Sequence, residues 1–137
     1  AGVSSPYVDD LRQVVWSKLV GNMTISVLCM LTGLTARDAM NDEGLRDLVT
    51  RLMTEAHAVA HAHGADLTFN PTAPRQGPDH KPSLLQDYEL GRAMELDALV
   101  RAPQAFARAA DIETPTLDTL AALAVQRGLQ AGLYQPA

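Results

Sequence analysis

"WSKLVGNMTISVL", residues 16–28, is an apolar run with a lysine and an asparagine set into it four residues apart. At 100° per residue, Leu11, Val14, Val15, Leu19, Ile25 and Cys29 share one helical stripe, and Lys18, Asn22 and Ser26 fall inside it. Trp16, Val20, Met23 and Val27 line the opposite side. A helix that is apolar all round is buried by neighbours on several faces. The pattern therefore predicts a central helix from about Asp9 to Leu31, with Pro6 upstream and Gly33 beyond its end. Lys18 is expected to be partly buried or to face a cleft.

Helical periodicity continues outward from this rod. Asn41 or Asp42 can cap a second long helix whose Leu45, Leu48, Val49, Leu52, Met53, Ala56, Val59 and Ala60 form one buried face, with Gly64 as its stop. Prolines at 71, 74, 78 and 82 mark the stretch from Asp66 to Pro82 as a long loop. Ser83, with Gln86 three residues on, reads as a capping box opening a short helix to Leu90, and Gly91 stops it. A further helix carries Glu95 in its first turn, then Leu96, Leu99, Val100, Phe106 and Ala110, with Pro103 kinking or splitting it. Thr114 and Pro115 launch a last helix through Leu117, Leu120, Leu123 and Ala124 to Gly128. Strand alternation and internal repeats are absent, so the expected fold is an all-α multi-helix bundle forming one domain over residues 1–137.

Composition narrows the function. A net charge of -5 argues against a nucleic-acid surface or a polybasic membrane anchor, both of which need clustered cations. Lys18, Asn22, Thr24 and Ser26 interrupt the best apolar stretch below the roughly 20 residues of a bilayer span, so no membrane partner is expected. The single cysteine, Cys29, permits no intramolecular disulfide, and a reducing, cytoplasmic setting follows as the default. Cys29 itself reads as a small core residue.

Chemical candidates are few. A lysine buried alone loses solvation and is poised to give up a proton, which describes a general acid, while a lysine with a packed stem and a wet ammonium describes nothing. Asn22 and Ser26 extend a polar line from Lys18, although helix-to-helix hydrogen bonding would explain them equally. The capping box accounts for Ser83, and a place near a helix amino terminus accounts for Glu95. His57 and His61 have a zinc-compatible spacing, with His63 and His80 nearby, but no cysteine or second helical pair completes a set, so a solvated face is expected and no metal.

The blocks "WSKLVGN", "LTGLTARDAM", "HKPSLLQDYELGRAMELDALV" and "IETPTLDTLAALA" together resemble the carboxy-terminal domain of the ketopantoate reductase family, the 2-dehydropantoate 2-reductases. The resemblance implies a fold like the C-terminal domain of 6-phosphogluconate dehydrogenase, closing over an amino-terminal Rossmann domain with NADPH and a small-molecule 2-oxo acid between them. It also implies that Lys18 is the catalytic acid, that Asn22 and Ser83 bind substrate, and that Glu95 lies at the cofactor and active-site face. Ser26 and Val27 stand where the family often has a second asparagine followed by proline, so Ser26 is carried as a substrate-binding candidate. No G-x-G-x-x-G occurs in the chain, so the Rossmann half is expected outside it, the chain alone is expected to be inactive, and homo-oligomerisation through an uncovered face is expected. Two readings stay open: the catalytic domain of an NADPH-dependent 2-oxo acid reductase, and an all-α dimerisation or partner-binding module keeping that fold without activity.

Overall fold

The structure is a computed structural model that describes residues 6–69 and 79–137, with side chains from Leu11 onward. Its first element is a near-continuous rod: helix α1 (Pro6–Gly21), a π-helical turn (Asn22–Ser26) and helix α2 (Val27–Thr32). Gly33 ends the rod at φ 78°, a left-handed conformation that glycine adopts without steric cost, and its N–H caps the Cys29 carbonyl. Every residue from Met23 to Met30 is buried. This half of the rod is the central helix that the sequence predicts, packed by neighbours on all sides.

The other half departs from expectation. Trp16 and Val20 are buried, whereas Leu11, Val14 and Val15 are 63%, 64% and 46% exposed. The stripe chosen on the helical wheel is thus the open face of α1, and Lys18 on that stripe is exposed rather than partly buried. The physical reason is that α1 projects past the core and packs on α4 along one side only. The polar interruptions also lower apolarity less than expected. The 22-residue helical stretch Leu11–Thr32 contains an 18-residue window of mean hydropathy 1.6, long and apolar enough to cross a bilayer by length and composition, with half of that window buried inside the fold.

Helix α3 (Ala36–Asn41), too short to show a period, is capped by the Thr35 hydroxyl, which accepts the Asp38 N–H at 3.3 Å. Asp42 caps a short 3₁₀ turn (Glu43–Leu45) leading into α4 (Arg46–Ala62), whose Val49, Leu52, Met53, Ala56, Val59 and Ala60 are buried as the spacing predicts. Residues 70–78 of the predicted loop lie outside the described residues. Helix α5 (Ser83–Glu89) follows, then a second π turn (Asp97–Arg101) running into α6 (Ala102–Ala109) with Pro103 in its first turn, and finally α7 (Pro115–Gln130). No strand occurs among the described residues.

Gly128 is not the end of the last helix. It lies inside α7, where an added Cβ would come within 3.0 Å of both Leu96 and Tyr134, so the missing side chain lets the tail and Leu96 close onto the helix. The tail is fixed by the Met94 N–H donating to the Leu133 carbonyl at 2.8 Å and by Tyr134 donating to Asp97 at 2.6 Å.

The start of α7 is capped from a distance. Thr114 makes no side-chain cap. Instead both carboxylate oxygens of Glu55 on α4 accept, from Thr116 N–H and Leu117 N–H, each at 2.9 Å. A carboxylate there satisfies two orphan donors and meets the positive end of the helix dipole. Glu55→Ala is expected to lower unfolding free energy by about 1–3 kcal/mol, with Glu55→Gln intermediate, as read from denaturant melts.

Cys29 is fully buried, and burial pushes its thiol up from the ordinary 9.0 to about 11. Because the folded value lies above the unfolded one, this contribution to stability is complete below pH 9 and is lost as pH rises towards 11, at up to about 1.4 kcal/mol per pH unit. Unfolding measured across that window should fall more steeply for the wild type than for Cys29→Ala. Parallel curves would show that the thiol is not responsible.

Candidate active site

The first π turn, which carries Asn22 and Ser26, packs against α4, α5 and the second π turn. Lys18 stands one turn upstream on the same rod, Ser83 opens α5, and Glu95 lies two residues before the second π turn. The fold therefore brings the elements carrying Lys18, Asn22, Ser26 and Ser83 together, with Glu95 just before a further element that packs on the same turn. It does not join the side chains to one another: among the described residues no hydrogen bond or ion pair links any two of Lys18, Asn22, Ser26, Ser83 and Glu95. Among the described residues Glu95 makes no ion pair with Lys18; ion pairs that are made include Lys81–Glu89 at 3.0 Å and Arg92–Asp87 at 3.1 Å.

Each candidate is held by its backbone, not by its functional group. Lys18, Ser83 and Glu95 are exposed, Asn22 is half-buried and Ser26 is buried. Glu95 is flanked by buried Met94 and Leu96, the former tied to the Leu133 carbonyl, so the chain on both sides is anchored while the carboxylate faces a cleft of about 410 Å³ shared with Ala93, Asp97 and Tyr134. Asp97, itself exposed, is already engaged: its acceptance of the Tyr134 hydroxyl, aided by burial of the phenol, holds that phenol above its ordinary pKa. That pair joins residues 37 apart, and no spacing in the sequence signals it.

Ser83 corrects the sequence reading. Pro82 is the residue at the cap position and no side chain caps this helix. Gln86 does not complete a capping box either; its amide donates to the Lys81 carbonyl at 2.8 Å. Proline immediately before Ser83 takes the extended cap conformation, φ -57° and ψ 154°, which moves the serine into the first helical position with its hydroxyl unused.

The histidines are only partly on a solvated face. His61 is exposed, but His57 is half-buried over Phe69 with Nδ1 at 2.7 Å from the Met53 carbonyl. His63 stacks on Trp16 with ring centroids 5.2 Å apart and sets Nε2 at 2.9 Å from the Phe106 carbonyl, tying α4 to α1 and α6. No three His, Cys, Asp or Glu side chains among the described residues are grouped to hold a metal ion.

A family model described as ketopantoate reductase PanE/ApbA C terminal matches residues 10–127. The chain is 38% identical over 98% of its length to a 2-dehydropantoate 2-reductase of Mesorhizobium japonicum, covering 42% of that protein. It also resembles the crystal structure of 2-dehydropantoate 2-reductase from Methylococcus capsulatus, with a TM-score of 0.75 and 27% identity over 87% of this chain and 40% of that one. A dimeric ketopantoate reductase from Staphylococcus aureus is similar too, with a TM-score of 0.73 and 25% identity over 89% of this chain and 44% of that one. Fold and comparisons together define the helical carboxy-terminal domain of a family of oxidoreductases. The chain belongs to the ketopantoate reductase family, and it spans about two fifths of the length of the curated relatives it matches.

Because the Ser83 hydroxyl caps nothing, Ser83→Ala is expected to change unfolding free energy by less than about 0.5 kcal/mol. A loss near 1 kcal/mol, the ordinary cost of deleting an N-cap, would restore the capping role.

Proposed function

We propose that this chain is the catalytic and substrate-binding part of an NADPH-dependent 2-oxo acid reductase, converting 2-dehydropantoate to pantoate in the cytoplasm. The observation that carries the reading is that the Lys18 ammonium, the Asn22 amide and the Ser26 and Ser83 hydroxyls make no hydrogen bond among the described residues, although their elements converge on one π turn. Some polar side chains elsewhere are engaged by the fold, as with Glu55 on α7 or Gln13, whose amide both donates to and accepts from the Asp66 backbone at 3.0 Å. Groups left unspent on converging elements are available to a ligand.

With no strand or glycine-rich phosphate loop among the described residues, this chain's share in holding the dinucleotide reduces to acceptors such as Glu95, whose carboxylate fits a hydroxyl or amide donor. A dinucleotide held there would supply the hydride. As that hydride reaches the carbonyl carbon, the carbonyl electron pair moves onto oxygen, and Lys18 stabilises the developing alkoxide and then protonates it. Asn22, Ser26 and Ser83 present donors to the substrate's carboxylate and hydroxyl oxygens. The exposed Leu11, Val14 and Val15 form the surface onto which the Rossmann half closes, excluding water from Lys18.

In the complete protein, Lys18→Ala should lower kcat for 2-dehydropantoate about 10²- to 10⁴-fold while leaving NADPH affinity unchanged. Turnover that survives the change would remove Lys18 from the chemistry, and failure of the parent to bind NADPH would bring forward the other reading, a helical dimerisation or partner-binding module. The same uncovered apolar stripe favours self-association of the 137-residue chain. Sedimentation should show a concentration-dependent increase in mass, and a strict monomer at high concentration would count against it.

A further inference from the structure

We infer that Thr24 is a positioning residue for the site just proposed: from inside the first π turn it holds the register that sets Asn22 and Ser26 against Lys18. The inference rests on that proposal for its function, and on the backbone for its structure.

A continuous α-helix advances 100° per residue, so each four-residue step overshoots a full turn by about 40°. Along such a helix Lys18, Asn22 and Ser26 would drift steadily round the rod. A π turn closes its hydrogen bonds one residue later and spends one more residue per turn. Asn22–Ser26 is such a turn, between two α-helical stretches. Its wider winding cancels much of the drift and brings Ser26 back over the line that runs through Lys18 and Asn22.

Inserting a residue interrupts the regular ladder, and a carbonyl beside the interruption needs another donor. The Thr24 hydroxyl donates to the Val20 carbonyl, in α1 two residues before the π turn, at 2.6 Å. The threonine is fully buried, and its hydroxyl also meets the Met53 sulfur of α4 at 3.8 Å. The bond to the carbonyl four residues back is not sufficient in itself. Thr32, Thr54 and Thr119 make the same bond, to Leu28, Thr50 and Pro115, from exposed positions in α-helices that stay regular. What sets Thr24 apart is burial and the second contact, which fix the hydroxyl between two helices so that it cannot turn to solvent.

The test compares Thr24→Val, which keeps shape and deletes the hydroxyl, with Thr24→Ser, which keeps the hydroxyl, in the complete protein. Crystal structures of both variants decide the backbone question without reference to activity. The valine variant is expected to relax Asn22–Ser26 toward α-helix and rotate Ser26 away from the Lys18–Asn22 line, while the serine variant retains the π turn. An unchanged π turn in the valine variant overturns the inference. Kinetics decide the functional part. The valine variant should lose roughly 10- to 100-fold in kcat/KM for 2-dehydropantoate with NADPH affinity intact, a scale expected from misplacing groups by about 1 Å, and serine should restore activity to within about two-fold. Equal losses in the two variants, or none, would assign Thr24 a packing role only. If the parent itself does not reduce 2-oxo acids, the proposed function falls, and the crystal structures still settle what Thr24 does to the turn. Should the valine variant fail to fold, exchange of residue 24–27 amides in the serine variant supplies the reading: protection equal to the wild type is expected, and its loss overturns the role of the hydroxyl.

Discussion

The constraint on which the rest depends is that eight consecutive residues, Met23 to Met30, are buried on every side of one helical rod. Such a segment has no solvent face, so α4, α5, α7 and the second π turn must all be recruited around it. The rod then continues amino-terminally out of the core as α1, and the polar candidates sit where it emerges. The candidate residues Lys18, Asn22 and Ser26 span the boundary between a fully enclosed half and an open one.

That boundary explains the form of the site. Lys18 is on the open half, Ser26 on the enclosed half, and Asn22 at the transition, so the polar line descends from solvent into the fold. Ser83 and Glu95 arrive from elements whose backbones are secured by Pro82, Met94 and Leu96, leaving their functional groups unclaimed. The backbones are anchored and the candidate side chains make no hydrogen bond among the described residues, so a ligand there would not compete with internal hydrogen bonds.

Much of this was legible in the residues. The buried faces of α4 and of the rod's second half follow from apolar spacing, and the all-α class follows from the absence of strand alternation. The resemblance of four blocks supplied the family. Periodicity failed in two ways: Leu11 and Lys18 are open because α1 packs along one side only, while Ile25 and Cys29 lie in the half enclosed on every side, and beyond a π turn the 100° per residue assumed by the wheel no longer holds. Phe106, beyond the second π turn, is exposed where the same assumption buried it, and Ala107 takes its place. The capping box at Ser83 failed for a different reason, because Pro82 had already fixed the cap conformation. Long-range partners such as Glu55 with α7, Gln13 with Asp66 and Tyr134 with Asp97 leave no mark on local spacing.

The Glu55 contact bears on how the chain reaches this state. Its carboxylate lies 61 and 62 residues upstream of the amides it serves. Starting a helix fixes several dihedrals before any bond repays them, and here the first amides gain their acceptors only after α4 has formed and docked. The carboxy-terminal helix is thereby made conditional on the middle of the chain. Such non-local dependence raises contact order, favouring slower but more cooperative folding, in which the last helix is consolidated together with the core rather than ahead of it.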